Sequence, residues 1–227
     1  LELENRGVSA DKIKVVLNGV DLSKYKPLPE KDKGFAEEFQ LQGKFVAGYV
    51  GTHGLAHALD SIIEAAELLK AEDDIRIMFV GGGADRARLE KLVEAYDLSN
   101  VVMIPKQLKE NMQNIWSLCD VSLVSLKDTP LFSTVIPSKI FESMAMKLPI
   151  IISVPEGEAS EIVITEKAGL IVPPENSKKL AGAILKIKND IELHSNLAVN
   201  SGLAASKFNR EILALDMLNH IEELMCP

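Results

Sequence analysis

The sequence predicts an α/β fold with a doubly wound parallel sheet of the Rossmann-like kind. Short apolar runs rich in β-branched residues alternate with longer amphipathic segments, which is typical of parallel strands joined by crossover helices. The apolar runs are nearly continuous, so helices should cover both faces of the sheet. Hydrophobic residues make up 47% of the 227 residues and aromatic residues only 5%, which predicts a mainly aliphatic core.

This pattern predicts the positions of the elements. The predicted strands cover residues 13–17, 44–50, 75–80, 101–104, 121–125, 149–153 and 169–172. The predicted helices cover about 57–70, 84–96, 108–118, 138–147, 158–167 and 176–188, and helical sequence continues from about 190 to 225. Residues 22–43 contain Pro27, Pro29 and a charged run, so we expect a linker there, with room for one short helix.

The same pattern predicts how the chain is divided. Residues 44–188 hold the predicted parallel sheet, and residues 189–227 form C-terminal helices. Residues 1–21 precede the linker and contain one predicted strand. The chain opens on Leu1 rather than Met, in a segment typical of the end of a helix, so we expect that a preceding domain is missing.

Charge and cysteine content argue against several classes of protein. The net charge of −8 is unfavourable for nucleic-acid binding, which needs a basic surface. Cys119 and Cys226 are far apart, so we expect neither a disulfide framework nor a thiolate zinc site, and we predict a cytoplasmic location. Residues 1–14 are charged, so no signal peptide is expected, and no apolar run approaches the roughly 18 residues of a membrane-spanning helix.

The first candidate ligand-binding turn follows strand 44–50. Ligands of open parallel sheets bind at the carboxyl ends of the strands, and Gly51, Thr52 and His53 lie there, with His57 opening the next helix. A phosphate would meet free N–H groups at such a helix start, although an ordinary glycine turn explains the residues about equally well. His53 and His57 have the spacing of half a zinc site, but no third ligand is evident, so we expect no metal.

The second candidate turn, Gly81 to Gly83, follows strand 75–80. It is not the G-x-G-x-x-G dinucleotide fingerprint, because Arg86 occupies the position of the last glycine. Gly81 and Gly82 could let a ligand approach the backbone, and a purely structural turn is an equally good interpretation.

The densest group of polar residues lies at the predicted start of helix 138–147. Ser138 and Lys139 lie at this helix N-terminus, where a lysine is electrostatically unfavourable unless an anion binds beside it. Glu142 lies one turn later, on the same face as Ser138. These residues therefore predict an anion-binding site, and the alternative is a solvated Lys139 with Glu142 as part of a helix cap.

Several short motifs recur in a fixed order between residues 12 and 188. They are residues 18–21, Gly51, and residues 80–83, 101–105, 141–146, 149–151, 161–163 and 168–173. In this order and spacing they resemble the C-terminal, donor-binding half of retaining glycosyltransferases of the GT-B fold, family 4. The run of residues 137–142 is similar to a subgroup that acts in bacterial surface-polysaccharide assembly.

The resemblance implies roles for the residues around Glu142. Glu142 matches the second glutamate of the family's E-x7-E motif, which binds the ribose hydroxyls of the donor nucleotide, whereas the first glutamate is replaced by Thr134. The arginine and lysine that neutralise the diphosphate in this family are replaced by Thr52 and His57. Lys139 is then the cation expected to balance the negative charge of the diphosphate and to stabilise the diphosphate as the leaving group.

The resemblance also implies the remaining contacts. The backbone of Ile104, Pro105, Lys106 and Gln107 would contact the base, and the loop 131–136 would face the sugar. The donor would be a UDP-sugar, carrying an N-acetylated amino sugar, with no cofactor and no metal. The acceptor, a glycan or lipid-linked sugar, would bind the missing N-terminal half, which could also associate with the inner face of the membrane. The last helix, predicted from Asn209 to Met225, would cross to that half through Ile212, Leu215, Leu218 and Ile221 or Leu224.

Two other functions remain open from the sequence. A non-hydrolysing sugar-nucleotide epimerase shares the GT-B architecture but needs acid and base groups, for which the sequence offers His53, His57, Glu158 and Glu161. A degenerate nucleotide-sugar-binding module would explain Thr134 and the replaced loop cations.

Overall fold

The computed structural model describes residues 2–225, with side chains for residues 3–223, and it confirms the predicted Rossmann-like fold. Its single sheet has six parallel strands in the order β3-β2-β1-β4-β5-β6. The strand order reverses between β1 and β4, and ligands of doubly wound sheets bind at this reversal. The strands are β1 (Phe45–Val50), β2 (Ile75–Val80), β3 (Val101–Ile104), β4 (Val121–Ser125), β5 (Ile150–Ser153) and β6 (Gly169–Val172).

The helices follow the predicted alternation. They are α1 (Glu2–Asn5), α2 (Lys33–Glu38), α3 (Leu59–Leu68), α4 (Arg86–Ala95), α5 (Met112–Ser117), α6 (Lys139–Ala145), α7 (Glu158–Thr165), α8 (Ser177–Asn189), α9 (Ile191–Ala205) and α10 (Arg210–Met225). Short 3-10 helices form at Ala10–Lys12, Leu55–His57, Lys109–Asn111, Pro130–Thr134 and Ser206–Phe208. Within residues 2–225, none of the helices is both long and apolar enough to cross a membrane.

The predicted strand at residues 13–17 is wrong. The structure has no strand there, and Val15 is 75% exposed. The nearby pairing is a single bridge, in which the N–H of Val20 donates to Phe208 O (2.9 Å) and the N–H of Arg210 donates to Val20 O (3.0 Å). A β-rich sequence forms a strand only where a neighbouring backbone can complete the ladder, and residues 13–17 run alongside no such strand.

Helices cover both faces of the sheet, as the continuous apolar strands predict. On one face, Tyr49 and Phe79 pack with apolar side chains of α3 and α8. On the other, Val50 and Val80 pack with Trp116 of α5. Both faces of the sheet are therefore buried, which leaves the carboxyl ends of the strands as the place where a ligand can reach it.

Candidate functional site

A cavity of about 470 Å³ opens at the carboxyl ends of β1 and β2, beside the first residues of α6. The structure brings most of the predicted site residues together around it. Those that line the cavity are Gly51, Thr52, His57, Gly81, Gly82, Lys106, Ser138, Lys139 and Glu142. Residues far apart in the sequence thus meet where the fold places a ligand.

Four predicted residues do not line this cavity. His53 is 0% exposed, and the Ile104 side chain is also fully buried. Pro105 and Thr134 are exposed, and Thr134 lies in the 3-10 helix Pro130–Thr134, where its hydroxyl donates to Leu131 O (3.2 Å). The predicted contacts of these four residues stay predictions.

Sequence reasoning missed part of the cavity wall. Tyr25, from the segment expected to be a linker, lines the cavity together with Met112 of α5 and Lys109 before it. Tyr25 is isolated in a polar segment and carries no pattern that would indicate a ligand. Met112 lies on a predicted amphipathic helix, where an apolar residue normally indicates a core position.

The two glycine turns are packed directly against each other. A Cβ on Gly81, whose φ is +144°, would lie 1.9 Å from Gly51 O, so both the conformation and the space require glycine. The N–H of His53 donates to Gly82 O (2.9 Å), and the N–H of Asp85 donates to His53 O (3.0 Å). These contacts give the glycines a structural role, and they also hold the floor of the cavity rigid.

Arg86 fastens the Gly81 turn to the end of β3. Its Nη1 donates to Gly81 O (2.6 Å) and to Ile104 O (2.8 Å), while its Nε pairs with Glu90 (2.7 Å). The Ile104 carbonyl also accepts the N–H of Gly81 (3.1 Å), so both of its lone pairs are used. The Ile104 carbonyl is therefore not available to a nucleotide base. Of the residues predicted to contact the base, Lys106 and Gln107 line the cavity.

Lys139 is a buried cation that faces the cavity. It is 7% exposed, and its Nζ lies 3.7 Å from the centroid of the Tyr49 ring. No acceptor among the described residues hydrogen-bonds to this Nζ. Burial lowers the pKa of Lys139 to about 7, and the nearby Glu142 carboxylate opposes the shift. An anion in the cavity would favour the charged ammonium and supply its missing partner.

The start of α6 contributes less to anion binding than the sequence indicates. The N–H groups of Ile140 and Phe141 donate to Pro137 O (3.1 Å) and Ser138 O (3.0 Å). Only the N–H groups of Ser138 and Lys139 are left without an acceptor among the described residues. Because α6 has seven residues, its dipole is small. The positive potential of the cavity therefore comes from its lysines, of which Lys139 is buried and Lys106 and Lys109 are exposed.

Glu142 lies one turn into α6, between groups that favour its charged form. Burial raises the pKa of Glu142, while Trp116, Lys139 and Arg210 lower it. The Trp116 indole N–H is buried and directed near the carboxylate without reaching hydrogen-bond geometry. The Ser138 side chain forms no capping hydrogen bond, so the structure gives no support to a capping role for Glu142.

The two histidines have different environments. His57 lies in the 3-10 helix Leu55–His57 rather than opening α3, which begins at Leu59. Its Nδ1 is buried without a partner, and burial together with Lys139 lowers its pKa. His53 is buried with both ring nitrogens unpaired, and burial, Arg86 and Lys139 lower its pKa to about 4. Both imidazoles are therefore neutral near pH 7 in the free protein.

Replacing His57 by Ala should remove part of the pH dependence of UDP-sugar binding. A bound diphosphate favours protonated His57 and raises its lowered pKa, so binding takes up a proton. If the donor is the UDP-sugar that the sequence resemblance implies, wild-type protein should bind UDP-N-acetylglucosamine more tightly at pH 6 than at pH 8, by up to roughly 1.4 kcal/mol per pKa unit. Calorimetric titration across this range measures the effect, with a UDP-sugar because a terminal phosphate itself titrates near pH 6.

Lys139 titrates in the same range, and it adds pH dependence to both proteins. The difference between wild type and His57→Ala therefore isolates His57. Identical pH profiles would show that His57 does not contact the diphosphate, which would then depend on Lys139 and backbone amides.

Comparison with known proteins gives a consistent family. A family model described as "Glycosyl transferases group 1" matches residues 30–202. The alpha-D-kanosaminyltransferase of Streptomyces kanamyceticus is 27% identical over 182 residues, 76% of this chain and 44% of that protein. WcaL of Escherichia coli strain K12, assigned to colanic acid biosynthesis as a glycosyltransferase, is 30% identical over 182 residues, 79% of this chain and 43% of that protein.

The fold is similar to that of several solved structures. Anabaena HepE, solved in complex with UDP, superposes with a TM-score of 0.83 over 97% of this chain and 60% of that chain. Its sequence identity is 18%, so this likeness concerns the fold. The chain spans less than half of the length of the two curated relatives.

Proposed function

Because the chain belongs to the glycosyl transferases group 1 family, we propose that it is the donor-binding domain of a retaining, family 4 glycosyltransferase. The donor is a UDP-sugar, and the sugar is an N-acetylated amino sugar. The acceptor is a polysaccharide or lipid-linked sugar held by another domain, and the enzyme works in the cytoplasm at the inner face of the membrane. Curated relatives named for kanosaminyl transfer and colanic acid biosynthesis support this class of reaction.

The observation that carries the proposal is that Lys139 and Glu142 line the same cavity. Lys139 provides a desolvated ammonium that hydrogen-bonds to no acceptor within the described residues, which suits a diphosphate. Glu142 provides a carboxylate one helical turn away, which suits the vicinal hydroxyls of a ribose. A nucleoside diphosphate carries both a diphosphate and a ribose diol, so a single ligand offers a partner to each residue.

The same arrangement supports transfer of the sugar. When the bond between the anomeric carbon and the diphosphate breaks, negative charge develops on the leaving oxygen. Lys139 stabilises this charge without reorganisation, because the Tyr49 ring and the wall at Gly51 already fix its ammonium. The backbone N–H groups of Ser138 and Lys139 are available to the same phosphate.

The outer face of α10 supports docking on a further domain. Ile212, Leu215, Leu218 and Ile221 are exposed, in agreement with the stripe expected from the sequence, whereas the side chain of Leu224 lies outside the described residues. A row of exposed apolar side chains on one helix favours burial against a partner surface. We propose that the acceptor-binding domain covers it.

UDP should bind this domain more tightly than uridine does, with micromolar to millimolar affinity. The reason is that the diphosphate reaches Lys139, whereas uridine reaches the carboxylate of Glu142 only through its ribose. Calorimetric titration of UDP, GDP, ADP and uridine measures both the base and the phosphate preference. Equal affinities for UDP and uridine would contradict the assignment of Lys139 to the diphosphate.

The degenerate-module alternative is favoured by one observation, namely that Thr134 replaces a glutamate and lies outside the cavity wall. A protein that has lost turnover and donor affinity would bind no nucleoside diphosphate. The epimerase alternative has less support, because Glu158 and Glu161 line a different cavity and His53 is fully buried. Of its four candidate acid and base groups, His57 alone lines the nucleotide cavity. Product analysis of the full-length protein with a UDP-sugar separates transfer from epimerisation.

A further inference from the structure

The segment of residues 21–32, here called the strap, is fixed across α5. Gln113 Nε2 donates to Lys26 O (2.8 Å), and the N–H of Asp32 donates to Ser117 Oγ (3.0 Å). Lys31 also forms an ion pair with Asp120 at the start of β4. These contacts hold the strap in one place against the domain, although its composition is that of a linker.

Tyr25 is the strap residue that lines the cavity. Its half-buried ring packs against the apolar clusters of α5 and α6, and the cavity wall places it with Met112 and Glu142. Its hydroxyl forms no hydrogen bond to any described residue. Burial and the Glu142 charge raise the pKa of Tyr25 to about 12, so the phenol stays protonated and can donate at all physiological pH values.

A ribose diol needs both an acceptor and a donor in such a cavity. The carboxylate of Glu142 only accepts, so it satisfies the two O–H groups of a diol but none of the lone pairs on their oxygens. A buried oxygen without a donor costs free energy. Tyr25 lines the same cavity as Glu142, and its hydroxyl is a neutral donor without a hydrogen-bond partner in the described part of the chain.

We propose that Tyr25 contacts the ribose of the donor nucleotide, donating its O–H to a ribose hydroxyl that Glu142 holds from the other side. This inference rests on the proposed function, since it places the ribose at Glu142. The strap then forms a wall of the nucleotide site rather than a passive connection.

The test compares Tyr25→Phe with wild type by calorimetric titration of UDP, 2′-deoxy-UDP and 3′-deoxy-UDP. Loss of one neutral hydrogen bond should weaken UDP binding about 3- to 10-fold. For at least one deoxy ligand, the two proteins should bind with equal affinity, because that ligand lacks the oxygen that Tyr25 contacts. Tyr96→Phe is the matched control, since Tyr96 ends α4 outside the cavity and should leave all affinities unchanged.

Two outcomes overturn the inference alone. Tyr25→Phe could bind UDP as tightly as wild type, or it could weaken both deoxy ligands as much as UDP. In either case wild-type UDP binding still supports the proposed function. If wild-type protein binds none of UDP, GDP and ADP, the proposed function fails, and the ribose contact fails with it.

Discussion

Replacing Lys139 by Met should weaken UDP binding by about 3 kcal/mol or more, roughly 100-fold, without destabilising the fold. The loss is large because Lys139 is the buried cation of the cavity, and hydrogen bonds to charged groups contribute about 1.5–3 kcal/mol each. Methionine keeps the unbranched shape and can pack on the Tyr49 ring. Calorimetry with UDP measures the affinity, and thermal or denaturant unfolding measures the stability.

The stability of the same variant should depend on pH in a defined direction. The pKa of Lys139 is lowered from 10.5 to about 7 on folding, so between these values the unfolded chain binds more protons than the folded protein. The stability of wild type therefore rises as the pH increases from about 7 to 10.5, because the cost of burying a charged lysine disappears. The Met variant has no such charge and lacks this rise. The free energy of unfolding of Lys139→Met minus that of wild type should therefore be larger at pH 7 than at pH 9.5.

Lys178→Met provides a matched control, because Lys178 is an exposed lysine in the first turn of α8. It should change neither UDP affinity nor the pH dependence of stability. Normal UDP binding by Lys139→Met would contradict the assignment of Lys139 to the diphosphate. Strong destabilisation at pH 7 would instead show that the ammonium serves packing within the fold.

The strands could be predicted because each is a continuous apolar run buried on both faces. The runs at residues 75–80, 101–104 and 121–125 coincide with β2, β3 and β4. The run at residues 13–17 has the same composition, and it forms no strand because pairing depends on a neighbour that local sequence does not describe. The helical sequence after residue 190 is predicted to form several C-terminal helices, and the structure divides it into α9 and α10.

The candidate site divides in the same way. Lys139 and Glu142 could be predicted to lie together because helical spacing alone places them near one face of α6. Tyr25 and Met112 reach the cavity only through the packing of the strap and α5, which is a tertiary contact. Arg86 gave no sequence signal beyond breaking a glycine fingerprint, yet it anchors the Gly81 turn. His53 follows Gly51 in the expected turn, but its ring is directed into the protein interior.

Replacing Glu142 by Gln should weaken UDP binding by roughly 1.5–3 kcal/mol, the contribution of hydrogen bonds to a charged group. Glutamine keeps the size of the side chain but removes the charge that accepts the two ribose hydroxyls. Burial raises the pKa of Glu142, which means that folding disfavours its carboxylate. The variant should therefore be as stable as wild type, or more stable, at pH values above the pKa of Glu142.

Glu161→Gln is the control for this change, because Glu161 is an exposed glutamate in the first turn of α7 and does not line the nucleotide cavity. Its UDP affinity should equal that of wild type. The two roles of Glu142 predict opposite pairs of results. A ribose ligand gives weaker UDP binding at unchanged or higher melting temperature, whereas a structural residue gives normal UDP binding at lower melting temperature. The second pair would refute the ribose assignment, and the Lys139–Glu142 pairing would then no longer support a nucleotide donor.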